Sequence, residues 1–193
     1  MRRMTTEEIL AESFREVAAE KPVNRITIKD IVGNCGLSPT TFYRHFRDKE
    51  DLIEWIYKKK CREILEHYKY SPRRWTEMVS EWVNACAQNR FFLINLLTNT
   101  GGHDSFSKRM AELTVRILEH EIAARTGRET IPEKDRMKLY LYATGAVRLV
   151  CAWLLGKVSV TRELAAELIA ETSAPLIHAL LPLPEEQGTE HPD

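Results

Sequence analysis

The segment SPTTFYRHF, from Ser38 to Phe46, carries the side chains with the most specific chemistry in this 193-residue chain. Phe42 and Phe46 lie four positions apart, so in a helix they would share one apolar face that anchors it to a core. The opposite face would present hydroxyls, a phenol, a guanidinium and an imidazole, but no carboxylate. Such donors contact phosphates and base edges, and arginine pairs with guanine through two hydrogen bonds. The segment is therefore predicted to contact DNA, and the alternative is a short polar surface helix.

The charge distribution favours the DNA interpretation more than the total charge does. The chain has 28 basic and 28 acidic residues, so its net charge of zero does not indicate a nucleic-acid partner. From Lys21 to Arg47, however, five basic residues accompany one acid, Asp30, giving this segment a charge of +4. A basic segment in a neutral chain is typical of a small DNA-binding module joined to another domain, although solvated loops can have the same composition.

Two short helices must position these side chains. Thr27, with Asp30 three residues later, has the pattern of a capping box and starts one helix. Gly36 suits the left-handed backbone of a turn, and Ser38 then caps a second helix that has Pro39 at its first position. This arrangement predicts a helix-turn-helix near residues 27–47, between a first helix that ends before Pro22 and a long one that begins after Asp48.

Residues 27–52, TIKDIVGNCGLSPTTFYRHFRDKEDL, resemble the signature of the TetR family of regulators. The shared features are the threonine at the start of the second helix, the glycine turn, the small polar cap, the T-F-Y-x-H-F core and the K-E-x-L start of the fourth helix. Thr40 is a departure, because many members have glycine there, and it puts the operator sequence in doubt rather than the fold. The resemblance implies an all-α protein, with a three-helix DNA-binding domain followed by a helical ligand-binding and dimerisation domain.

The resemblance also assigns roles to individual residues. Tyr43 and His45 match the family's phosphate-contacting pair, and Thr27 and Lys49 match positions that hold the DNA backbone. The remaining DNA-contacting residues that we predict are Lys29, Ser38, Pro39, Thr40, Thr41 and Arg44. The alternatives are that Tyr43 only packs on the first helix and that Pro39 only starts the second short helix.

The rest of the chain has a helical pattern with no catalytic motif. We predict a DNA-binding domain over residues 1–49, an effector-binding and dimerisation domain over 50–182, and a disordered tail rich in Pro, Glu and Gly over 183–193. Aromatic and methionine side chains often line ligand sites, although they fill cores more often. The candidates for an effector pocket are Trp75, Trp82, Phe91, Phe92, His103, Met110, Tyr140 and Trp153.

Family members are usually homodimers joined by their last two helices, and the pattern of this chain agrees with that arrangement. The helix predicted over residues 133–155 is apolar on more than one face, so one face can fill the subunit core while a second needs a partner. The alternative is a single thick core within one subunit. The residues that we predict at the dimer interface are Leu149, Trp153, Leu164, Leu168, Leu176 and Leu180.

Other classes of protein have less support. The four cysteines are widely spaced and form no CxxC pair, which argues against a disulfide framework and a zinc site; no metal or cofactor is predicted. Catalytic signatures such as GxSxG, HExxH and the P-loop are absent, so we do not expect an enzyme. With no apolar run of 18 residues and no signal-peptide pattern, a cytoplasmic protein is expected.

The predicted function is that of an effector-responsive repressor that binds a palindromic operator as a dimer. A finer resemblance supplies the alternative. The segment TFYRHFRDKEDLIEWIY is similar to the subgroup of regulators of dihydroxyacetone kinase operons. In that subgroup a kinase-like protein can act as the regulator's partner, so the alternative is a transcriptional activator controlled by a protein rather than by a small molecule.

Overall fold

The computed structural model describes residues 3–68, 74–101 and 103–180, and for His103 and Asp104 it describes the backbone alone. All regular structure in these ranges is helical, which confirms the all-α prediction. The helices are α1 (Thr6–Glu20), α2 (Ile28–Asn34), α3 (Pro39–His45), α4 (Lys49–His67), α5 (Trp75–Gln88), α6 (Arg90–Asn99), α7 (His103–Thr126), α8 (Glu133–Leu154) and α9 (Arg162–Leu180). The predicted tail over 183–193 lies outside the described residues.

The helix starts that position α2 and α3 follow the sequence pattern. The Thr27 hydroxyl accepts a hydrogen bond from the Asp30 backbone N–H at 3.2 Å, and the Asp30 carboxylate accepts one from the Thr27 backbone N–H at 2.7 Å. Gly36 has a φ of +70°, and the Ser38 hydroxyl accepts from the Thr41 N–H at 3.1 Å. These bonds satisfy backbone donors that have no partner inside a helix, which confirms the predicted capping of both helices.

The first three helices share a small core with the beginning of α4. Phe14 of α1, Ile31 of α2, Phe42 of α3 and Leu52 of α4 are completely buried. The Ser13 hydroxyl also donates to the Ile31 carbonyl at 2.6 Å, so a buried hydrogen bond joins α1 to α2. Helix α3 is thus held in place by apolar contacts of its buried face.

The remaining helices form the second part of the fold. Helix α5 packs along α9, where the Trp75 indole N–H donates to the Ser173 hydroxyl at 2.6 Å. Helix α7 packs along α8, and Tyr57 of α4 shares a hydrogen bond of 2.6 Å with Thr114 of α7. No helix in the described ranges combines the length and the apolar character that a membrane crossing requires.

Asn95 of α6 joins the two parts of the fold by side-chain hydrogen bonds, beside the edge-on contact of Phe14 with Phe92. Its amide nitrogen donates to the carbonyls of Ala18 at 2.7 Å and Lys21 at 2.9 Å, at the end of α1. Its amide oxygen accepts from the Val23 backbone N–H at 2.9 Å, in a short 3-10 turn that leads to α2. Three backbone groups of the DNA-binding domain therefore depend on one residue of the helical domain.

We expect the change Asn95→Ala to lower the free energy of unfolding by about 2–6 kcal/mol, because its side chain makes these three hydrogen bonds and accepts a fourth from Asn99, and each contributes about 0.5–1.5 kcal/mol. Urea denaturation measures this loss. Hydrogen exchange of the Val23 amide, which loses its acceptor, should accelerate. The matched control is Asn84→Ala on α5, since the side chain of Asn84 makes no hydrogen bond with the described residues. Equal exchange of Val23 in wild type and Asn95→Ala would contradict the role of Asn95.

Candidate nucleic-acid interface

Helix α3 presents one buried face and one exposed face. Phe42 is completely buried and its ring lies 5.7 Å from that of Phe46. Thr41 is half-buried, and its hydroxyl lies 2.9 Å from the Ser38 hydroxyl. The residues predicted to reach DNA that are exposed here are Ser38, Pro39, Thr40, Tyr43, Arg44 and His45. The structure therefore brings these predicted contacts together on the outer surface of a single helix.

Tyr43 and Arg44 are the most available of these groups. Tyr43 is 60% exposed, and its ring contacts the ring of the buried Phe42 edge-on, with 5.6 Å between the centroids. The Tyr43 ring is therefore packed on one side, while much of the side chain is open to solvent. The Arg44 guanidinium has no ion pair or hydrogen bond with any described residue. A free guanidinium with five N–H donors in a planar fork matches the paired acceptors of a guanine edge.

His45 is tied to the first helix. Its Nδ1 lies 2.9 Å from the Glu7 carboxylate, which connects the end of α3 to the start of α1. Backbone hydrogen bonding lowers the pKa of Glu7, and the hydrogen bond with His45 lowers it further, so that Glu7 is ionised at neutral pH. Because one ring nitrogen is used within the domain, only the other is free for a phosphate.

Lys49 has a different environment from the one that its predicted role requires. Its ammonium group donates to the Val23 carbonyl at 2.6 Å and to the Ile26 carbonyl at 2.8 Å. Desolvation by burial lowers the pKa of Lys49. Two of its three donors therefore hold the turn before α2, and Lys49 positions the helix-turn-helix from below. Its contact with the DNA backbone stays a prediction.

Ion pairs within the protein neutralise only part of the positive charge of the segment of residues 21–47. Its one acid, Asp30, lies 2.7 Å from the Lys21 ammonium group, and the hydrogen bond from Lys21 holds the pKa of Asp30 well below its usual range. Arg47 is paired with Asp51 of α4 at 3.4 Å. The basic groups left without a partner among the described residues are Arg25, Lys29 and Arg44. Thr27 is exposed, but its hydroxyl and its N–H are both used by the capping box.

The residues predicted to form an effector pocket separate into two groups. Two neighbouring cavities of about 80 Å³ each lie in the helical domain. Trp75 and Trp82 line the first, and Trp82, Phe92 and Met110 line the second. Phe91 is 87% exposed on the surface, so it lines neither cavity. The same holds for Tyr140, which is 38% exposed, and for Trp153, while the side chain of His103 lies outside the described residues.

Sequence reasoning missed cavity residues that come from α1 and α4. Tyr57 and Cys61 line both cavities, and Arg15 lines the second. A signal was present, since α4 has apolar residues on more than one face, but it does not show which face adjoins a cavity. The four cysteines are free thiols.

The predicted dimer residues also differ in their exposure. Leu164 and Leu168 of α9 are each 42% exposed, whereas Leu149, Trp153 and Leu176 are half-buried. Leu180 is 2% exposed because it packs inside the subunit, so it has no surface for a partner. Sequence reasoning missed Leu141 and Met137 of α8, which are 73% and 45% exposed.

Comparison with known proteins agrees with this geometry. Residues 9–56 match the family described as bacterial regulatory proteins, tetR family. A relative in Bacillus subtilis, an uncharacterized HTH-type transcriptional regulator named YxbF, is 38% identical over 63 residues, which are 32% of this chain and 17% of the relative. The HTH-type dhaKLM operon transcriptional activator DhaS of Lactococcus lactis is 27% identical over 60 residues, 31% of this chain and 32% of that one. The chain thus matches less than a third of the length of these curated relatives.

Solved structures resemble the fold over a much greater length. The dihydroxyacetone kinase operon activator DhaS has a TM-score of 0.60 at 15% identity, over 92% of this chain and 97% of that one. A putative TetR-family transcriptional regulator from Syntrophomonas wolfei has a TM-score of 0.54 at 19% identity, over the same shares of the two chains. The described helices therefore adopt the fold of these regulators from α1 to α9. The match of residues 9–56 covers most of α1, the helix-turn-helix and the start of α4, so this part of the chain is similar to the DNA-binding region of the tetR family of bacterial regulatory proteins.

Proposed function

We propose that this protein is a DNA-binding transcriptional regulator that inserts α3 into the major groove of its operator. The observation that carries the proposal is the outer face of α3, where Tyr43 and the unpaired Arg44 stand exposed above the buried Phe42. In this docking Arg44 reads a base edge from the last turn of α3, and Ser38, Pro39 and Thr40 contact the groove at the N-terminal end of the helix. Tyr43 and His45 bind phosphates, which position the helix without specifying sequence.

A dimer would double this contact and would make the operator palindromic. Two recognition helices related by a two-fold axis lie about one turn of DNA apart, roughly 34 Å. The exposed apolar side chains of the last two helices support such a dimer, because an apolar surface of this kind usually has a partner. We assign the interface to Leu141 of α8 and to Leu164 and Leu168 of α9, with the half-buried Leu149, Trp153 and Leu176 beside them.

The two cavities support control by a small-molecule effector, and we propose a repressor that releases DNA when they are filled. The second candidate is an activator controlled by a protein partner. The similarity to DhaS, which is named as an operon activator, favours that candidate. A repressor should lose operator affinity when a small ligand binds, whereas an activator of the second kind should respond to a protein and to no small ligand. Either role on genomic DNA would place the protein in the cytoplasm.

The test is binding of the purified full chain to labelled DNA from the intergenic regions that flank its gene. We expect one fragment to bind far more tightly than a random fragment, and its affinity to fall steeply between 50 mM and 200 mM salt through counterion release. Sedimentation equilibrium of the protein and the complex should give two chains per operator. Equal binding of operator and random DNA, or affinity that does not depend on salt, would refute the proposal.

A further inference from the structure

The second of the two cavities has a charge pattern that the proposed function does not explain. It lies where α1 of the DNA-binding domain meets α4, α5, α6 and α7, and we call it the junction cavity. Its walls are mainly apolar and include Ile53, Trp82, Phe92, Leu96 and Met110. The charged residues of its lining are Arg15 and Lys60, and no carboxylate lines it.

Arg15 of α1 is incompletely paired within the protein. Its Nε atom is buried and has no hydrogen-bond partner, while its Nη1 atom lies 3.2 Å from the Glu12 carboxylate. A buried N–H without an acceptor in the protein is uncommon in folded proteins, so the Arg15 Nε–H is a donor that a bound acceptor could satisfy. The side chain is still 34% exposed, so Arg15 lies at the mouth of the cavity rather than in its interior.

Lys60 is also weakly engaged. Its ammonium group lies 3.9 Å from Glu63, which is at the limit of an ion pair. Glu12 and Glu63 belong to the neighbouring cleft between α1 and α4, and neither lines the junction cavity. Asn89, at the start of α6, adds a further polar side chain to the lining. Arg15 and Lys60 also line that cleft, so their carboxylate partners lie on the cleft side, and the lining of the junction cavity itself contains no counter-charge.

The thiols in the lining do not supply that counter-charge. Burial raises the pKa of Cys61 to about 12, and burial also raises the pKa of Cys86. Both thiols are therefore neutral at physiological pH and act as small apolar groups.

The size of the site restricts the ligand. The junction cavity and its neighbour have about 80 Å³ each, and they share Tyr57, Cys61 and Trp82 as a common wall. An apolar protein cavity of about 150 Å³ accepts benzene, so a single ring or a chain of similar volume exceeds the junction cavity alone and would have to extend past the shared residues into its neighbour.

We propose that the junction cavity, together with its neighbour, binds a small organic anion with an apolar body, such as a monocarboxylate of the size of benzoate, and that Arg15 pairs with its carboxylate at the mouth of the junction cavity. The assignment of this anion as the effector rests on the regulatory function proposed above. Arg15 belongs to α1, and Phe92 and Leu96 belong to α6, the helix whose Asn95 holds the end of α1 and the turn before α2. A ligand there would contact both sides of the connection between the two domains.

The test measures ligand binding to the full chain without DNA, through the intrinsic tryptophan fluorescence, to which Trp82 of the lining contributes, and by calorimetry. The probes are benzoate and hexanoate, with benzyl alcohol as the neutral analogue and benzylamine as the cationic one. We expect saturable binding of the carboxylates, about tenfold or more weaker binding of the alcohol, and no binding of the amine, because a charged hydrogen bond is lost or becomes repulsive.

Variants show which basic residue binds the carboxylate of the ligand. Arg15→Gln should weaken benzoate binding by about tenfold or more, and Lys60→Gln should weaken it less. Arg116→Gln, which removes an exposed cation of α7, is the matched control and should bind as wild type does. Thermal denaturation checks that each variant is folded.

Three results would overturn the inference: neither carboxylate binds at 10 mM (about the weakest binding of interest), benzylamine binds as well as benzoate, or folded Arg15→Gln and Lys60→Gln both keep wild-type affinity. Because no DNA is present, these results are separate from the operator experiment. A chain that binds benzoate through Arg15 but binds no operator would refute the proposed function and leave the ligand site standing.

Discussion

The change Arg44→Ala should weaken operator binding by between about 30-fold and about 10⁴-fold. The expected cost is about 1–3 kcal/mol for each half-site, and a dimer has two half-sites. The reason is that the Arg44 guanidinium has no partner among the described residues. No ion pair or hydrogen bond within the protein must therefore break before Arg44 makes its bidentate contact with the operator. Fluorescence anisotropy with the operator, and with operators changed at single base pairs, measures both the affinity and the relaxed sequence preference.

The matched control is Arg162→Ala at the start of α9. That arginine is also exposed, and it is paired with Glu163 at 2.7 Å, far along the chain from the helix-turn-helix. The variant Arg162→Ala loses the same formal charge as Arg44→Ala, so a general electrostatic effect on DNA binding should weaken binding in both variants. If the two variants lost the same affinity, or if Arg44→Ala kept the wild-type discrimination between base pairs, Arg44 would not be reading the operator.

Phe42→Ala should strongly destabilise the DNA-binding domain. Truncation of a buried phenylalanine costs about 3–5 kcal/mol, because the transfer free energy is lost and a cavity is left. Phe42 is completely buried, and its ring contacts those of Tyr43 and Phe46, so its loss also removes the support for the exposed Tyr43. Urea denaturation followed by circular dichroism measures the change, and operator binding should be lost together with the folded domain.

Phe91→Ala is the control for Phe42→Ala. It removes the same side chain from a position that is 87% exposed, and exposed substitutions of this kind usually change stability by less than about 0.5 kcal/mol. A large loss of stability in Phe91→Ala, or a small one in Phe42→Ala, would contradict the burial that defines the two positions.

Several contacts on the side away from DNA fix the position of α3, the proposed recognition helix. Phe42 anchors α3 to the core, the His45–Glu7 contact joins its end to α1, and Lys49 holds the turn before α2. Asn95 then connects that turn to α6. A rigid helix loses little conformational entropy on binding, which favours affinity for DNA. Because these contacts connect α6 to α3 through the turn before α2, a displacement of α6 would be expected to move α3.

The local structure of the DNA-binding domain could be predicted from sequence because its determinants are local. A capping threonine with Asp30, a glycine in the turn, and Ser38 before Pro39 each act on backbone groups within four residues. The i, i+4 spacing of Phe42 and Phe46 also distinguishes the buried face of α3 from the exposed one. These features lie within a short window, so the TetR resemblance could be recognised there.

What each helix face packs against depends on contacts between residues that are far apart in the sequence. Periodicity shows which residues share a helix face, but it does not show whether that face meets the core, a cavity or solvent. For this reason Leu180 is buried while Leu141 is exposed, and Phe91 lies on the surface while its neighbour Phe92 lines a cavity. The ammonium group of Lys49 finds carbonyls that are 23 and 26 residues away, a contact that no local pattern encodes. Arg15 faces the junction cavity for the same reason, since its surroundings come from five helices whose arrangement depends on the packing of the whole chain.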